Sequence, residues 1–312
     1  MKVVFLDTVH PILEERLTKE GFTCIDATKS DLDICHELVH DAEGIVIRSR
    51  FPMNADFLKH ALKLEFIARS GAGMENIDEA YCNEQNIQLF NAPEGNRNAV
   101  GEHALGMLLA LLNNFILGDT QVRKGIWDRE GNRGEELDSK TVGIIGYGNN
   151  GRAFAKKLRG FECKVLVYDK YLPTIADDFV TQVSLEEIYQ EADVISFHIP
   201  QNTETLYWVN DAFFTALGKP IYLLNLSRGK IVDTEALLNA IATNQVKGAG
   251  LDVLEFEKAS FENFSDSEGL SVFQALIASE KVILTPHVGG WTTESYYKLS
   301  AVLADKILAF YR

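Results

Sequence analysis

Twice along the chain, short runs rich in β-branched residues alternate with helical runs, and this alternation restricts the fold more than any other feature. In the first series, strand patterns at 3–6, 24–25, 44–47, 64–68 and 88–90 are interleaved with helical patterns at 12–19, 32–39, 57–62 and near Ala80. In the second, strand patterns at 142–145, 164–168, 194–197, 221–224, 250–253 and 282–284 are interleaved with helical patterns at 152–158, 185–189, 212–217 and 234–242. A helix between two strands lets them lie parallel, so each series predicts a doubly wound parallel sheet. The expected fold class is α/β, and 312 residues suffice for two such domains, each with its own core. Between the series lie a helical pattern at 99–117 and a Gly- and charge-rich segment at 124–136, near which a boundary is expected. A last helical pattern, 294–311, follows the second sheet and is free to pack back on the first domain.

Charge narrows the function. Thirty basic residues against 45 acidic leave a formal net charge of −15, which disfavours binding to a phosphate backbone, so no nucleic-acid partner is expected. The longest apolar stretch, 104–112, stops at Asn113 and Asn114, well short of the ~20 residues that would span a bilayer. The first residues, Met1-Lys2-Val3-Val4-Phe5-Leu6-Asp7, place an acid where an export signal would stay apolar. A cytoplasmic protein without membrane contact is expected. Cys24, Cys35, Cys82 and Cys163 form no Cys-x-x-Cys pair, which points to buried free thiols and to no bound metal.

Gly146-Tyr147-Gly148-Asn149-Asn150-Gly151 is a Gly-x-Gly-x-x-Gly placed directly between the strand pattern at 142–145 and the helical pattern at 152–158. In that context the first glycine permits a tight turn, the second lets a diphosphate approach the backbone, and the third lets helix pack on strand. Asp169 ends the next strand 23 residues after Gly146, where a carboxylate accepts hydrogen bonds from a ribose diol and repels a 2′-phosphate. NAD is therefore the expected cofactor, against which only Lys170 argues. Asn150 stands where an apolar residue usually packs under the helix.

Three later segments each follow a strand, where open α/β sheets bind ligands. They are Asn225-Leu226-Ser227-Arg228-Gly229, Leu251-Asp252-Val253-Leu254-Glu255-Phe256-Glu257 and Leu284-Thr285-Pro286-His287-Val288-Gly289-Gly290. Hydride transfer between a nicotinamide and a 2-hydroxy acid needs a group that exchanges the hydroxyl proton and a cation for the carboxylate. A histidine suits the first task because it titrates near neutrality, and a planar, bidentate arginine suits the second.

In order and spacing, residues 143–151, Asp169, 225–229, 252–257, Pro286-His287 and Gly289 resemble the D-isomer-specific 2-hydroxyacid dehydrogenases across nearly the whole chain. The resemblance implies a flavodoxin-like substrate domain, 1–97 completed by 290–312, and a Rossmann NAD-binding domain, 98–289, with chemistry between them. It implies that Arg228 grips the substrate carboxylate, His287 exchanges the C2 hydroxyl proton and Glu257, rather than the rival Glu255, pairs with the imidazole. It assigns Gly146, Gly148, Asn149, Asn150, Gly151, Asp169, His198, Pro200, Ser227, Asp252 and Gly289 to the cofactor. Lys258 replaces a common proline, and 259–276 is longer and more acidic than the usual connection.

In the first domain the resemblance gives the substrate side to Arg48, Ser49, Arg50, Arg69, Ala72, Gly73 and Asn96, with backbone N–H groups near Ala72 and Gly73 meeting the carboxylate. Three arginines, Arg48, Arg50 and Arg69, exceed what one carboxylate needs and resemble the phosphate-holding pattern of 3-phosphoglycerate dehydrogenases. His103 reads as a packed or hinge residue, and Trp127, Trp208 and Trp291 as core or interface, with Trp291 also able to line a pocket. The expected activity is interconversion of 3-phospho-D-glycerate and 3-phosphohydroxypyruvate by a homodimer without the C-terminal regulatory domain of longer relatives. The alternatives are a glyoxylate/hydroxypyruvate or D-lactate-type reductase, and a non-enzymatic NAD-sensing co-repressor relative.

Overall fold

Strands buried on both faces are built from nearly continuous apolar runs, and the strands Gly44–Ile47, Phe66–Arg69 and Val194–Phe197 are buried throughout, with Ser196 and Arg69 as their polar exceptions. The computed structural model describes residues 1–175, 177–257 and 270–312. Lys258 and most of the connection 259–276 lie outside the described residues; its end forms the helix Leu270–Ala278. The chain divides into two units, one containing 1–97 and 291–312, the other 98–257 and 270–290 among the described residues.

In the first unit, β1 (Lys2–Phe5), β2 (Thr23–Asp26), β3 (Gly44–Ile47), β4 (Phe66–Arg69) and β5 (Gln88–Phe90) form a parallel sheet in the order β2-β1-β3-β4-β5. Alternation along each strand sorts the side chains into two cores. Val4, Ile45, Ile47 and Ile67 pack with Cys35, Val39 and Phe57 on one face. Val3, Phe5, Val46, Phe66 and Ala68 pack on the other with Leu13, Leu17, Leu303, Ala304 and Ile307. Leu13 and Leu17 come from the helix Ile12–Lys19 and the other three from the helix Thr293–Phe310, so the C-terminal helix joins the first helix on that side of the sheet. The order of the strands turns between β1 and β3, and the loops that leave them carry Asp7 and Arg48-Ser49-Arg50.

In the second unit, β6 (Thr141–Ile145), β7 (Lys164–Tyr168), β8 (Thr181–Gln182), β9 (Val194–Phe197), β10 (Ile221–Asn225), β11 (Val246–Leu251) and β12 (Val282–Leu284) form a parallel sheet in the order β12-β11-β10-β9-β6-β7-β8. The order reverses between β6 and β9, which puts the glycine loop after β6 at the topological switch point.

The helical pattern expected at 99–117 is two helices, Pro93–Leu112 and Phe115–Arg123, bent by 60° at a break where Asn114 takes a left-handed φ of 52°. Asparagine tolerates that conformation, and Pro93 suits the first turn because its missing N–H would have no partner there. Val100, Ala104, Met107, Leu108 and Leu111 of the first helix pack with Val142, Ile144 and Leu224. Among the described residues no single helix is long and apolar enough to cross a membrane. The division between units falls at 97/98, and the Gly- and charge-rich segment at 124–136 belongs to the second unit. Strand β11 begins at Val246, four residues before the sequence pattern places it, because Gly248 and Gly250 hide the apolar run. A Cβ on Gly248 would stand 3.3 Å from Leu111, and one on Gly250 3.5 Å, so the helix lies close over a strand that has no side chains there.

Glu135 anchors the segment at 124–136: its carboxylate accepts hydrogen bonds from Lys140 at 2.7 Å, Lys247 at 3.0 Å and the Tyr222 hydroxyl at 3.1 Å. Burial alone would raise this carboxyl, but the bonds from Lys140 and Lys247 outweigh it and hold the group at about 2, against an ordinary 4.5. A lowered folded pKa adds stability above the unfolded value and loses it as pH falls. Glu135→Gln should therefore lower Tm at neutral pH by about 2–5 °C, with the gap to the native protein closing as pH falls below 4.5 toward 2. Thermal denaturation across that range checks this, and a gap independent of pH would contradict it.

Candidate active site

The glycine loop is built for close approach. Gly146 has φ 91°, and a Cβ there would stand 2.4 Å from the His198 carbonyl oxygen. A Cβ on Gly151 would stand 2.0 Å from the Gly146 carbonyl oxygen, so only glycine lets the helix Asn149–Leu158 start against the turn. A Cβ on Gly148 would meet nothing within 4 Å, which leaves open backbone at a helix N-terminus that no side chain caps. Asp169 Oδ2 accepts the Tyr147 N–H at 2.8 Å, and Oδ1 accepts the N–H groups of Tyr171 and Leu172 at 2.9 and 3.1 Å. The neighbouring Lys170 donates to Glu204 at 2.6 Å, so the cation beside Asp169 already has an anion. An open glycine backbone with a strand-end carboxylate fits the diphosphate and ribose of NAD.

Two buried polar atoms near the loop, Asn150 Oδ1 and His198 Nδ1, have no hydrogen-bond partner among the described residues. His198 follows β9, its Nε2 lies 2.9 Å from Ser196 Oγ, and burial pushes its imidazole down to about 4, so it is neutral at physiological pH. Pro200 is exposed, and its carbonyl accepts the Thr205 hydroxyl.

Strand β10 ends at the fully buried Asn225, whose side chain builds the following turn. Its Oδ1 accepts the Ser227 N–H and hydroxyl at 3.1 and 2.8 Å, while its Nδ2 donates to the Arg228 carbonyl at 2.9 Å. Arg228 Nη1 donates to the Ser227 carbonyl at 2.6 Å. A Cβ on Gly229 would stand 1.9 Å from the Leu254 carbonyl oxygen, so the Arg228-Gly229 turn lies directly on the loop that leads to Glu257.

Strand β11 leads to Asp252, which is 2% exposed and organises the loop after β12. Its Oδ1 accepts the Thr285 hydroxyl at 2.6 Å and the Val288 N–H at 2.8 Å, its Oδ2 accepts the Gly289 N–H at 2.8 Å, and its carbonyl accepts the His287 N–H at 2.8 Å. Asp252 and Gly289, which the family resemblance gives to the cofactor, are thus bonded to each other. His287 takes φ 52°, a conformation that costs a non-glycine residue roughly 1–2 kcal/mol and that these bonds enforce.

His287 Nδ1 lies 2.7 Å from Glu257 Oε2, and Glu257 Oε1 accepts the Leu254 N–H. Glu255 is used elsewhere: it accepts the Thr234 N–H at 3.1 Å, at the start of the helix Thr234–Ala242. His287 Nδ1 is thus committed to Glu257.

In the first unit the arginine loop is held from within. Asp7 Oδ2 accepts the N–H groups of Arg48, Ser49 and Arg50 at 2.7, 2.9 and 3.0 Å. Arg50, expected at a phosphate rim, is instead a structural tie: its guanidinium donates to the carbonyls of Leu6, Ala27, Thr28 and Ser30. Four carbonyl acceptors leave that cation little to offer a ligand. Arg69 is 9% exposed and donates through Nε to the Arg48 carbonyl at 3.2 Å. Arg48 stacks its guanidinium over the exposed Trp291 ring, 4.2 Å from the centroid. The Ala72 carbonyl accepts from Asn91 Nδ2 at 2.7 Å, Gly73 is partly exposed beside it, and Asn96 Oδ1 is buried without a partner among the described residues. Trp208 packs against the core of the second unit, whereas Trp127 is exposed.

Sequence reasoning missed the organising tasks of Asp7, Asn225, Thr285 and Asp252. The available signal was position: each polar residue stands immediately at or after the end of an apolar strand, where the backbone leaves N–H groups to satisfy.

Residues 105–289 match the family model described as D-isomer specific 2-hydroxyacid dehydrogenase, NAD binding domain. The chain is 31% identical over 304 residues to a hydroxypyruvate reductase of Thermotoga maritima, covering 95% of this chain and 96% of the relative. It is also 31% identical over 305 residues to the D-3-phosphoglycerate dehydrogenase of Rattus norvegicus, covering 97% of this chain but only 55% of that longer protein. The crystal structure of the D-lactate dehydrogenase of Aquifex aeolicus, complexed with NAD and lactic acid, superimposes with a TM-score of 0.83 at 26% identity, covering 100% of this chain and 95% of that one. The open glycine backbone after β6 and the strand-end Asp169 thus have a family to explain them, and the chain belongs to the NAD-dependent D-isomer-specific 2-hydroxyacid dehydrogenases.

Proposed function

We propose that this protein interconverts 3-phospho-D-glycerate and 3-phosphohydroxypyruvate, with Arg228, Glu257 and His287 as the catalytic group. The observation that carries the catalytic part is the 2.7 Å pair between His287 Nδ1 and Glu257, on a loop whose backbone Asp252 holds in place. NAD, when bound, supplies or accepts the hydride at C2. Arg228 presents a planar cation to the substrate carboxylate. In reduction, His287 Nε2 gives a proton to the C2 oxygen; in oxidation it takes that proton back, and Glu257 offsets the positive charge the ring then carries. Gly146, Gly148, Asn149, Asn150, Gly151, Asp169, His198, Pro200 and Ser227 form the cofactor side, and the loops of Arg48, Ser49, Arg69, Ala72, Gly73 and Asn96 recognise the rest of the substrate.

The phosphate assignment rests on Arg48, whose guanidinium is braced on Trp291. A second reading, hydroxypyruvate or glyoxylate, is favoured by the commitment of Arg50 to backbone carbonyls, which removes one cation from the phosphate side. Arg48→Ala separates them. If the rim binds phosphate, kcat/KM for phosphohydroxypyruvate should fall by about 10-fold or more, the worth of one charge-assisted hydrogen bond, and fall much less for hydroxypyruvate. Equal losses on both substrates would favour the second reading. A homodimer is also part of this proposal, supported by the exposed Phe115, Ile116, Val122, Ile126 and Trp127, an apolar surface suited to a second copy. Unpaired Cys24, Cys35, Cys82 and Cys163 suit a reducing cytoplasm.

A further inference from the structure

We propose that His103 is a positioning residue for the reaction, acting through Thr285 and Asp252 on the backbone that carries His287; this rests on the reading of His287 as the proton-exchanging group. His103 Nε2 lies 3.0 Å from Thr285 Oγ1 and 3.6 Å from Asp252 Oδ1. The Thr285 hydroxyl has one hydrogen, and it goes to Asp252 Oδ1 at 2.6 Å. Thr285 Oγ1 can therefore only accept from His103, which fixes the hydrogen of that ring on Nε2. A directed chain results, from His103 Nε2–H to the Thr285 hydroxyl and on to the Asp252 carboxylate. Asp252 in turn accepts from the N–H groups of Val288 and Gly289 and, through its carbonyl, from that of His287. Those bonds bracket His287 in its left-handed conformation, so whatever fixes the carboxylate also fixes the direction of the imidazole.

The helix Pro93–Leu112 is held where this chain requires it. Val100, Ala104, Met107, Leu108 and Leu111 form its buried stripe, and His103 sits on that stripe at helical spacing. A Cβ on Gly250 would stand 3.3 Å from Met107 Cβ, so the bare strand lets the helix come close one turn away from His103 and two residues before Asp252. A residue that served packing alone would be replaceable by an apolar side chain of similar size. A positioning residue needs its donor.

That difference supplies the test, with His103→Leu, His103→Gln, Thr285→Val, Thr285→Ser and the double variant His103→Leu/Thr285→Val assayed with NADH and the best 2-oxo acid. His103→Leu should lower kcat by roughly 10- to 100-fold, the usual cost of removing a group that orients a reacting one, while KM and the Kd for NADH stay within about threefold. The amide N–H of Gln can replace Nε2–H, so His103→Gln should restore most of kcat, and Thr285→Ser should do so at the other position. In the double variant the losses should not multiply, since both changes break one chain. Native kcat in a folded His103→Leu, a His103→Gln as poor as the Leu variant, or multiplying losses would each overturn the proposal. Should His103→Leu fail to fold, the Val and Ser variants at Thr285 decide by the same criteria. If the native protein reduces no 2-oxo acid, the functional reading fails instead, and the tautomer of His103 by nitrogen-proton NMR decides this one: hydrogen on Nε2 supports the chain, and hydrogen on Nδ1 overturns it.

Discussion

Replacing His287 with Gln should lower kcat by roughly 10²- to 10⁴-fold, the range of a lost general acid or base, while NADH still binds. The loss follows from geometry. On the proposed reading the ring meets substrate through Nε2, because Nδ1 is bound to Glu257, and an amide cannot give and take a proton as an imidazole does. The backbone needs its own control, because His287 has φ 52° and glutamine resists that conformation more than histidine does. His287→Asn tolerates it, so both variants should lose turnover together while fluorescence titration shows NADH binding retained. Near-normal turnover in either would remove His287 from proton exchange.

Arg228→Lys keeps a positive charge and loses the planar fork, and kcat/KM should fall by about 100-fold, the upper part of what a charge-assisted hydrogen bond contributes. The turn is preset by Asn225, whose side chain bonds Ser227 and the Arg228 carbonyl, and by Gly229, packed on Leu254. A lysine there has the right backbone and the wrong head group, so its loss measures the fork and not the turn. Steady-state kinetics with NADH and a 2-oxo acid check this. An unchanged kcat/KM would move the carboxylate site elsewhere.

Much of this architecture is legible in the sequence because period and position carry it. The alternation of 44–47 and 64–68 with helical runs implies parallel strands, and Gly146 to Gly151 between strand and helix implies an anion at a helix N-terminus. Local patterns mislead where contacts distant in sequence override them. The start of β11 is masked by Gly248 and Gly250, whose missing side chains make room for Leu111 and Met107, residues more than a hundred positions away. Arg50 resembles a ligand-binding cation until the carbonyls of Leu6, Ala27 and Thr28 are seen to surround it, and no spacing rule announces that enclosure. His103 is legible only as a histidine on an apolar helix face. Its task depends on Thr285, 182 residues on.

A net charge of −15 must also admit an anionic cofactor and an anionic substrate. On the proposed reading local donors make this possible: the open backbone at Gly148, the Arg228 fork and Arg48 on Trp291. Lys170, paired with Glu204, adds no cation for a 2′-phosphate, in keeping with NAD as the cofactor.

The central claim is tested most directly by the configuration of the product formed from NADH and phosphohydroxypyruvate or hydroxypyruvate, resolved by chiral chromatography. NADH consumption with the D-2-hydroxy acid as product is the expected result. An L product, or no consumption with either acid, would contradict the claim.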